Sequence, residues 1–280
     1  MLAIRLATLS ISGHGRLAHR QPPVRWIMRT NLALIALLLF PLLLSSTPGQ
    51  ATAPLVAVID SGVARTAELR DLVVAEYDVA GPVARAPFRP RYDHGTMVAT
   101  ILAHELRRNV RIVSLRVDDP SGCPAGKNPP CQPSPHPIAA AIRQATALRV
   151  DAINISLALA DDDEIVAAIS AAAGNGIPVI LAAGNDGHSA PGNLRMARAG
   201  YPTTVLVGAL DSAGNPWPMT NRPDSQAGLH YHYVWRRGVD VPTSLANGGQ
   251  VVGTGTSFAA PIETARLLQA GIARVTTAAR

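Results

Sequence analysis

Short runs of apolar residues alternate along the chain with segments in which apolar residues recur every three or four positions. The runs are rich in Val, Ile, Leu and Ala, which is typical of strands buried on both faces, and the segments between them have helical periodicity. The predicted strands cover residues 55–59, 110–117, 152–157, 178–183 and 203–210, and the predicted helices cover residues 94–109, 138–148, 162–173 and 257–274. This alternation predicts a three-layer α/β fold, a mostly parallel sheet with helices on both faces. Residues 211–250 show no pattern that assigns them to an element.

Polar side chains stand at the ends of three predicted strands. Asp60 follows the first strand, Ser156 lies near the end of the strand over residues 152–157, and Asn185 follows the strand over residues 178–183. In open α/β sheets, functional groups collect beyond the carboxyl ends of the strands. These three residues are therefore candidates for one functional site.

The first 53 residues have the pattern of a targeting segment. A positive stretch ending at Arg29 precedes an apolar stretch over residues 31–44, and small and polar residues then lead to Ala51-Thr52-Ala53. A positive region, an apolar region and an A-x-A site are typical of a cleaved signal peptide, with Met28 as the candidate start. We therefore expect an exported protein, periplasmic or secreted. An uncleaved segment that anchors the protein in a membrane is the alternative.

Basic charge is concentrated in the same N-terminal segment. Five of the 25 basic residues and none of the 19 acidic residues lie in it, so the rest of the chain is nearly neutral. No basic stripe is present there, which argues against nucleic-acid binding. The remaining residues, 54–280, fit a single domain. Because aromatic residues make up only 4% of the chain, its core is expected to consist of Ala, Val, Ile and Leu.

Two cysteines, Cys123 and Cys131, lie close together in a segment rich in Pro and Gly, residues 118–137. In an exported protein this spacing favours a disulfide, which would stabilise the fold by about 2–3 kcal/mol in the chain-entropy model. Two free thiols are the alternative. A metal site is disfavoured because no second Cys/His pair lies nearby.

Four short segments resemble motifs of the subtilase family of serine proteases. They are Val58-Ile59-Asp60-Ser61-Gly62, His94-Gly95-Thr96-Met97-Val98-Ala99, Ala182-Ala183-Gly184-Asn185 and Gly255-Thr256-Ser257-Phe258-Ala259-Ala260-Pro261. Each segment alone has an ordinary structural interpretation as a turn or a helix start. Together, in the order Asp, His, Asn, Ser, they resemble the family over about residues 55–275.

The resemblance implies a subtilisin-like fold and a Ser-His-Asp triad. Ser257 would be the nucleophile, His94 the base that accepts its proton, and Asp60 the carboxylate that orients His94. Asn185 would donate its side-chain amide to the oxyanion, together with the Ser257 N–H. The expected reaction is hydrolysis of peptide bonds through an acyl-enzyme.

The resemblance also assigns substrate-binding residues. The segment Asn154-Ile155-Ser156-Leu157-Ala158-Leu159 resembles the family's substrate strand, so Ser156, Leu157 and Ala158 are expected to contact the peptide. Ala183 and Gly184 are assigned to the same role. The family usually has Gly residues where Ala158 and Leu159 stand, and the added side chains would narrow the specificity pocket. We therefore expect cleavage after small or medium apolar residues rather than large aromatic ones.

Two further departures from the family concern the framework. The first predicted strand follows the expected cleavage site at once, without the inhibitory pro-domain that assists folding in many subtilases. The alternatives are unaided folding, a separate pro-protein or chaperone, or a reduced gene. In addition, Arg236-Arg237-Gly238 stands where the family has an Ala-Pro-Gly turn.

The expected partner is a peptide or protein substrate. The chemistry needs no cofactor, and no metal ligands are assigned. Structural calcium, which many subtilases bind, is left open by the sequence. The acidic run Asp161-Asp162-Asp163-Glu164 fits a helix N-terminus better than a calcium site, and His230-Tyr231-His232 fits a loop better than a metal site. The alternative function is a catalytically weak or inactive subtilase fold that binds peptides or a partner protein.

Overall fold

The computed structural model describes residues 52–83, 85–127, 130–132, 134–224 and 230–271. Nine strands and five helices lie in these residues. The strands are β1 (Leu55–Asp60), β2 (Val73–Asp78), β3 (Arg111–Arg116), β4 (Ala152–Ile155), β5 (Val179–Ala182), β6 (Thr204–Leu210), β7 (His232–Arg237), β8 (Val241–Ser244) and β9 (Gln250–Gly253). The helices are α1 (His94–Glu105), α2 (Pro135–Ala147), α3 (Asp163–Gly174), α4 (Leu194–Ala199) and α5 (Thr256–Gln269).

Seven strands form one parallel sheet in the order β2-β3-β1-β4-β5-β6-β7. The predicted mostly parallel sheet is therefore confirmed. Because β1, β4 and β5 are neighbours, the residues that follow them lie along one stretch of the carboxyl edge. Strands β8 and β9 pair antiparallel as a separate hairpin, which contacts α1.

Helices cover both faces of the sheet, as predicted. Helices α2, α3 and α4 lie on one face, and α1 and α5 lie on the other. Strand β1 shows how its sequence serves both faces. Ala57 and Ile59 belong to the core under α2 and α3, whereas Val56 and Val58 belong to the core under α1 and α5. Successive side chains of a strand point to opposite faces, so a central strand covered on both sides is apolar throughout.

The predicted helix over residues 94–109 ends earlier, at Glu105. Arg107 and Arg108 both have positive φ, at 50° and 62°. Residues in this left-handed conformation cannot continue a right-handed helix. The final predicted helix is found as α5, and residues 272–274 of that prediction lie outside the described residues.

Five elements of the structure were not predicted from the sequence: β2, α4, β7, β8 and β9. Strand β2 is an edge strand with a mixed burial pattern, and it lacks a continuous apolar run. Helix α4 has only six residues. Strands β7 and β8 lie within residues 211–250, where turn-forming residues obscured the periodicity, and β9 begins at the end of that segment, at Gln250.

The predicted disulfide between Cys123 and Cys131 is present. Its loop is tied to the body of the protein at two points. The N–H of Cys123 donates to the Tyr92 hydroxyl at 3.1 Å, and the N–H of Asp119 donates to the Cys131 carbonyl at 2.8 Å.

The predicted targeting segment lies outside the described residues, apart from Thr52 and Ala53. Among the residues that the structure describes, no helix combines the length and the apolar character that crossing a membrane requires.

Candidate active site

Asp60 is the last residue of β1 and is completely buried. One of its oxygens, Oδ1, accepts a hydrogen bond from the N–H of Ser61 at 2.7 Å. Both carboxylate oxygens lie close to Nδ1 of His94, at 2.8 Å and 3.0 Å. A carboxylate can only accept hydrogen bonds, so the proton of a neutral His94 lies on Nδ1 and Nε2 is left as an acceptor.

His94 is the first residue of α1, and its side chain is 19% exposed. The next residue allows this close approach to Asp60. A Cβ on Gly95 would collide with the Gly62 carbonyl and would lie 3.1 Å from Cβ of Asp60. The imidazole also contacts the ring of Phe258, which is tilted by 52° with ring centroids 5.7 Å apart. His94 thus contacts both a buried carboxylate and an aromatic ring.

The pKa of His94 is raised above its ordinary value. Burial acts in the opposite direction and lowers the pKa of His94, but the negative charge of Asp60 and the hydrogen bond to it raise the pKa by more. The charged form of the imidazole is thus more stable than in a histidine free in water, because a buried carboxylate lies in contact with it.

Ser257 is the second residue of α5 and is 8% exposed. Its hydroxyl donates to the Ser156 carbonyl at 3.0 Å, and its own carbonyl accepts from the Ser156 hydroxyl at 2.8 Å. Asn154 extends this buried network, since its amide donates to the Ser156 hydroxyl and accepts from the Thr264 hydroxyl. The start of α5 is therefore joined to the end of β4 by reciprocal hydrogen bonds.

Asn185 lies in the turn after β5, next to the start of α5. Its Oδ1 accepts two hydrogen bonds from Thr256, one from the N–H and one from the hydroxyl, both at 2.9 Å. These two donors determine which amide atom is the oxygen. The NH₂ group of Asn185 is left for another acceptor. Thr256 was not identified from the sequence as a site residue.

These side chains border one surface depression of about 260 Å³. Five of the residues predicted from the sequence line it together with His94, namely Asn185, Ser257, Ser156, Leu157 and Ala158. Asp60 lies behind His94. Leu157 is mostly buried, whereas Ala158 is exposed at the surface of the depression.

Ala183 and Gly184 do not line this depression. The carbonyl of Ala183 accepts from the Gly192 N–H at 2.7 Å, and the N–H of Gly184 donates to the Thr256 hydroxyl at 3.2 Å. In this structure both residues hold the turn that carries Asn185. Their assignment to substrate binding stays a prediction.

Three residues of the depression were missed by the sequence analysis: Pro130, Thr254 and Phe258. Phe258 follows Ser257 in the recognised motif, so its position offered a signal. Pro130 offered none, because it is distant from every motif. It reaches the site in the loop that the Cys123–Cys131 disulfide closes.

The acidic run at the start of α3 has partners within the protein. Asp162 caps the helix by accepting from the N–H groups of Glu164 and Ile165. Asp161 and Asp163 both pair with Arg195. Within the described part of the chain, no three His, Cys, Asp or Glu side chains are grouped so that they could hold a metal ion. His230 and His232 instead stack against Tyr201.

Comparison with known proteins identifies the family of the chain. The model of the subtilase family, peptidase S8, matches residues 51–270. A comparison with curated proteins found no match.

Solved structures share the fold at low sequence identity. The prenylagaramide maturation protease PagA is 24% identical with a TM-score of 0.60, and the match covers 79% of this chain and 78% of PagA. A cold adapted subtilisin-like serine proteinase is 23% identical with a TM-score of 0.62, over 78% of this chain and 76% of that protein. The patellamide maturation protease PatA is 20% identical with a TM-score of 0.58, over 78% and 80%. Because the family model matches most of the chain, and because the parallel sheet and its helices agree with that match, the chain belongs to the subtilase family of serine-type peptidases.

Proposed function

We propose that this protein is an exported serine endopeptidase that hydrolyses peptide bonds through an acyl-enzyme on Ser257. The observation that carries the proposal is the buried contact between Asp60 and Nδ1 of His94, at 2.8 Å, in the wall of the depression that also holds Ser257 and Asn185. A serine hydroxyl is a weak nucleophile until a neighbouring base accepts its proton. In its neutral form His94 has Nε2 free to accept that proton, because Nδ1 donates to Asp60.

The reaction proceeds in two halves. The Ser257 hydroxyl turns from the Ser156 carbonyl towards His94, loses its proton to Nε2 and attacks the carbonyl carbon of the scissile bond. His94 then donates this proton to the leaving amine, and the acyl group stays on Ser257. Water gives a proton to the same imidazole and attacks the acyl carbon. The bond from this carbon to Ser257 Oγ then breaks, His94 returns the proton to Oγ, and the second product leaves as the carboxylic acid. Asp60 stabilises the imidazolium in both halves.

The oxyanion would be bound by two donors. The first N–H groups of a helix have no partner within the helix, and the Ser257 N–H is one of them in α5. The NH₂ of Asn185 is the second donor, because Thr256 already occupies the amide oxygen. Removing one such donor typically lowers kcat by about 10²–10³-fold.

Export is proposed from the N-terminal pattern and from the disulfide. Disulfides persist in oxidising compartments and are rare in the cytosol. The substrate is a peptide or protein bound in extended form beside Ser156, Leu157 and Ala158. Because the side chain of Ala158 stands where the family usually has Gly, we propose a preference for small or medium apolar residues before the scissile bond.

A fluorophosphonate probe tests the proposal directly. Such probes react covalently with a serine that has an activating base, so the wild-type protein is expected to be labelled and Ser257→Ala is not. Ser170→Ala, which removes an exposed hydroxyl on α3, is the matched control and keeps full labelling. A folded wild-type protein without label would reject the protease in favour of an inactive binding protein. Equal labelling of wild type and Ser257→Ala would reject Ser257 as the nucleophile.

The raised pKa of His94 predicts the acid limit of activity. His94 must be neutral to accept the Ser257 proton, so kcat/KM is lost as the pH falls through the pKa of His94. We expect the midpoint of this loss to lie above about 6.5, the ordinary histidine value. The measurement is kcat/KM for a peptide p-nitroanilide over a range of about pH 5 to 9. A midpoint below the ordinary value would show that burial, not Asp60, dominates the charge state of His94.

A further inference from the structure

The turn that carries Asn185, residues 184–188, is held by a second asparagine. Asn221 lies between β6 and β7 and is 2% exposed. Its Oδ1 accepts hydrogen bonds from the N–H groups of Asp186 and His188, both at 3.0 Å. Its Nδ2 donates to Oδ2 of Asp186 at 3.2 Å. The Asn221 side chain therefore makes two hydrogen bonds to Asp186 and one to His188.

The backbone of Asn221 adds two further contacts. Its N–H donates to the Gly184 carbonyl at 2.9 Å, and its carbonyl accepts from the Tyr233 hydroxyl at 2.5 Å. Asn221 is thus anchored on β7 while it binds the turn on both sides of Asn185. Gly184 has φ of 105°, and a Cβ at this position would collide with the Asn221 amide. The turn and the amide fit together only because residue 184 is glycine.

Two separate groups thus determine where the Asn185 amide lies. Thr256 determines the rotation of the amide through its two hydrogen bonds to Oδ1. Asn221 determines the path of the backbone to which the amide is attached. Asn221 is not one of the residues that line the depression, so any effect on the reaction has to pass through the turn.

We propose that Asn221 is the positioning residue of the oxyanion hole, an inference that rests on the proposed function. Its side chain holds residues 184–188 in the one conformation that presents the Asn185 NH₂ to the tetrahedral intermediate. Donors to an oxyanion act in the transition state, so their displacement lowers kcat more than it raises KM. A shift of about 1 Å in such a group can cost about 10²-fold in rate.

A double-mutant cycle between Asn221 and Asn185 tests this inference. In the otherwise wild-type protein, Asn221→Ala is expected to lower kcat for a peptide p-nitroanilide by about 10- to 100-fold. In the Asn185→Ala background the donor is already gone, so the same change is expected to alter kcat by less than about 2-fold. Asn175→Ala, an exposed amide at the end of α3, is the matched control and leaves kcat unchanged in both backgrounds. A loss from Asn221→Ala that is equal in both backgrounds would overturn the proposal.

An exchange of side chains provides a second test that keeps the volume of residue 221. Asn221→Asp replaces the amide donor with a second carboxylate opposite that of Asp186, so the hydrogen bond is lost and kcat is expected to fall. Asn221→Asp combined with Asp186→Asn restores the hydrogen bond with donor and acceptor exchanged, and kcat is expected to recover to within about 2-fold of wild type. Circular dichroism confirms folding of each variant before kcat is measured. Folded exchange variants that do not recover would contradict the positioning role.

These outcomes are separate from those of the proposed function. Fluorophosphonate labelling of wild type, and its loss in Ser257→Ala, establishes the protease without reference to Asn221. If the enzyme is labelled and active but the effects of Asn221→Ala and Asn185→Ala on kcat are additive, the positioning role of Asn221 is rejected and the protease function is kept.

Discussion

Replacing Asp60 with asparagine is expected to lower kcat by about 10⁴-fold, with little change in the fold. The carboxylate of Asp60 accepts the proton of His94 Nδ1 at 2.8 Å, whereas an amide in its place could donate to that nitrogen and favour the wrong tautomer. Nε2 would then carry the proton and could not accept one from Ser257. The imidazolium formed during the reaction would also lose its counter-charge. Single-turnover kinetics with a peptide p-nitroanilide measure the residual rate.

Asp151→Asn is the matched control for this experiment. Oδ2 of Asp151 accepts a hydrogen bond from the N–H of Leu55 at 2.7 Å, at the opposite end of β1 from Asp60. Both aspartates thus support the same strand, but only Asp60 contacts His94. We expect Asp151→Asn to reduce stability by about 1 kcal/mol and to leave kcat unchanged. A similar loss of kcat in both variants would mean that Asp60 acts only through the stability of β1.

The second large effect concerns a buried charge in α5. The side chain of Glu263 is only 1% exposed, two turns after Ser257. Its carboxylate accepts from Arg236 on β7 at 2.6 Å and from Arg266 at 2.7 Å and 2.8 Å. Arg236 is the first residue of the segment that replaces the Ala-Pro-Gly turn expected from the family. Arg236, which departs from the family pattern, therefore supplies a counter-charge to Glu263.

Arg236→Met is expected to destabilise the protein by about 3 kcal/mol, because removing one partner leaves a buried charge incompletely compensated. Arg266 remains, so we expect the lower end of the range measured for such losses. Glu263→Met is expected to cost less, since Arg236 and Arg266 are 26% and 45% exposed and can turn to water. Equilibrium unfolding in urea, in a Ser257→Ala background that prevents self-digestion, measures both changes.

Arg237→Met is the control for Arg236→Met. The neighbouring arginine is exposed and donates to the Asp240 carbonyl, without contacting Glu263. We expect the free energy of unfolding of this variant to lie within about 0.5 kcal/mol of that of the Ser257→Ala protein. If Glu263→Met proved more destabilising than Arg236→Met, the carboxylate would have a packing role that its charge does not explain.

Much of the fold could be predicted because the central strands are covered on both faces. Strands such as β1 are continuous apolar runs, and the residue at the end of such a run is where polar groups collect. The positions of Asp60, Ser156 and Asn185 at strand ends predict a site at the carboxyl edge of the sheet independently of any motif. The edge strand β2 and the hairpin of β8 and β9 are only partly covered by other elements, so their residues follow no simple pattern.

Other parts of the site could not be predicted because their contacts join distant parts of the chain. Thr256 lies 71 residues from the Asn185 amide that it orients, and Ser156 lies 101 residues from Ser257. Pro130 and Asn221 are ordinary loop residues in the sequence. Each gains its role only where the disulfide or the sheet brings its loop to the carboxyl edge.

The sequence by itself determined the order of the central strands and the long helices along the chain, the family, and the residues that are candidates for the chemistry of a serine peptidase. It could do so because local periodicity and short motifs depend on residues near one another in the chain. The tertiary structure alone decided which groups hold those residues in place: Thr256 and Asn221 around Asn185, Ser156 beside Ser257, and Arg236 against Glu263. These contacts form only when strands that are neighbours in the sheet bring together loops far apart in the sequence.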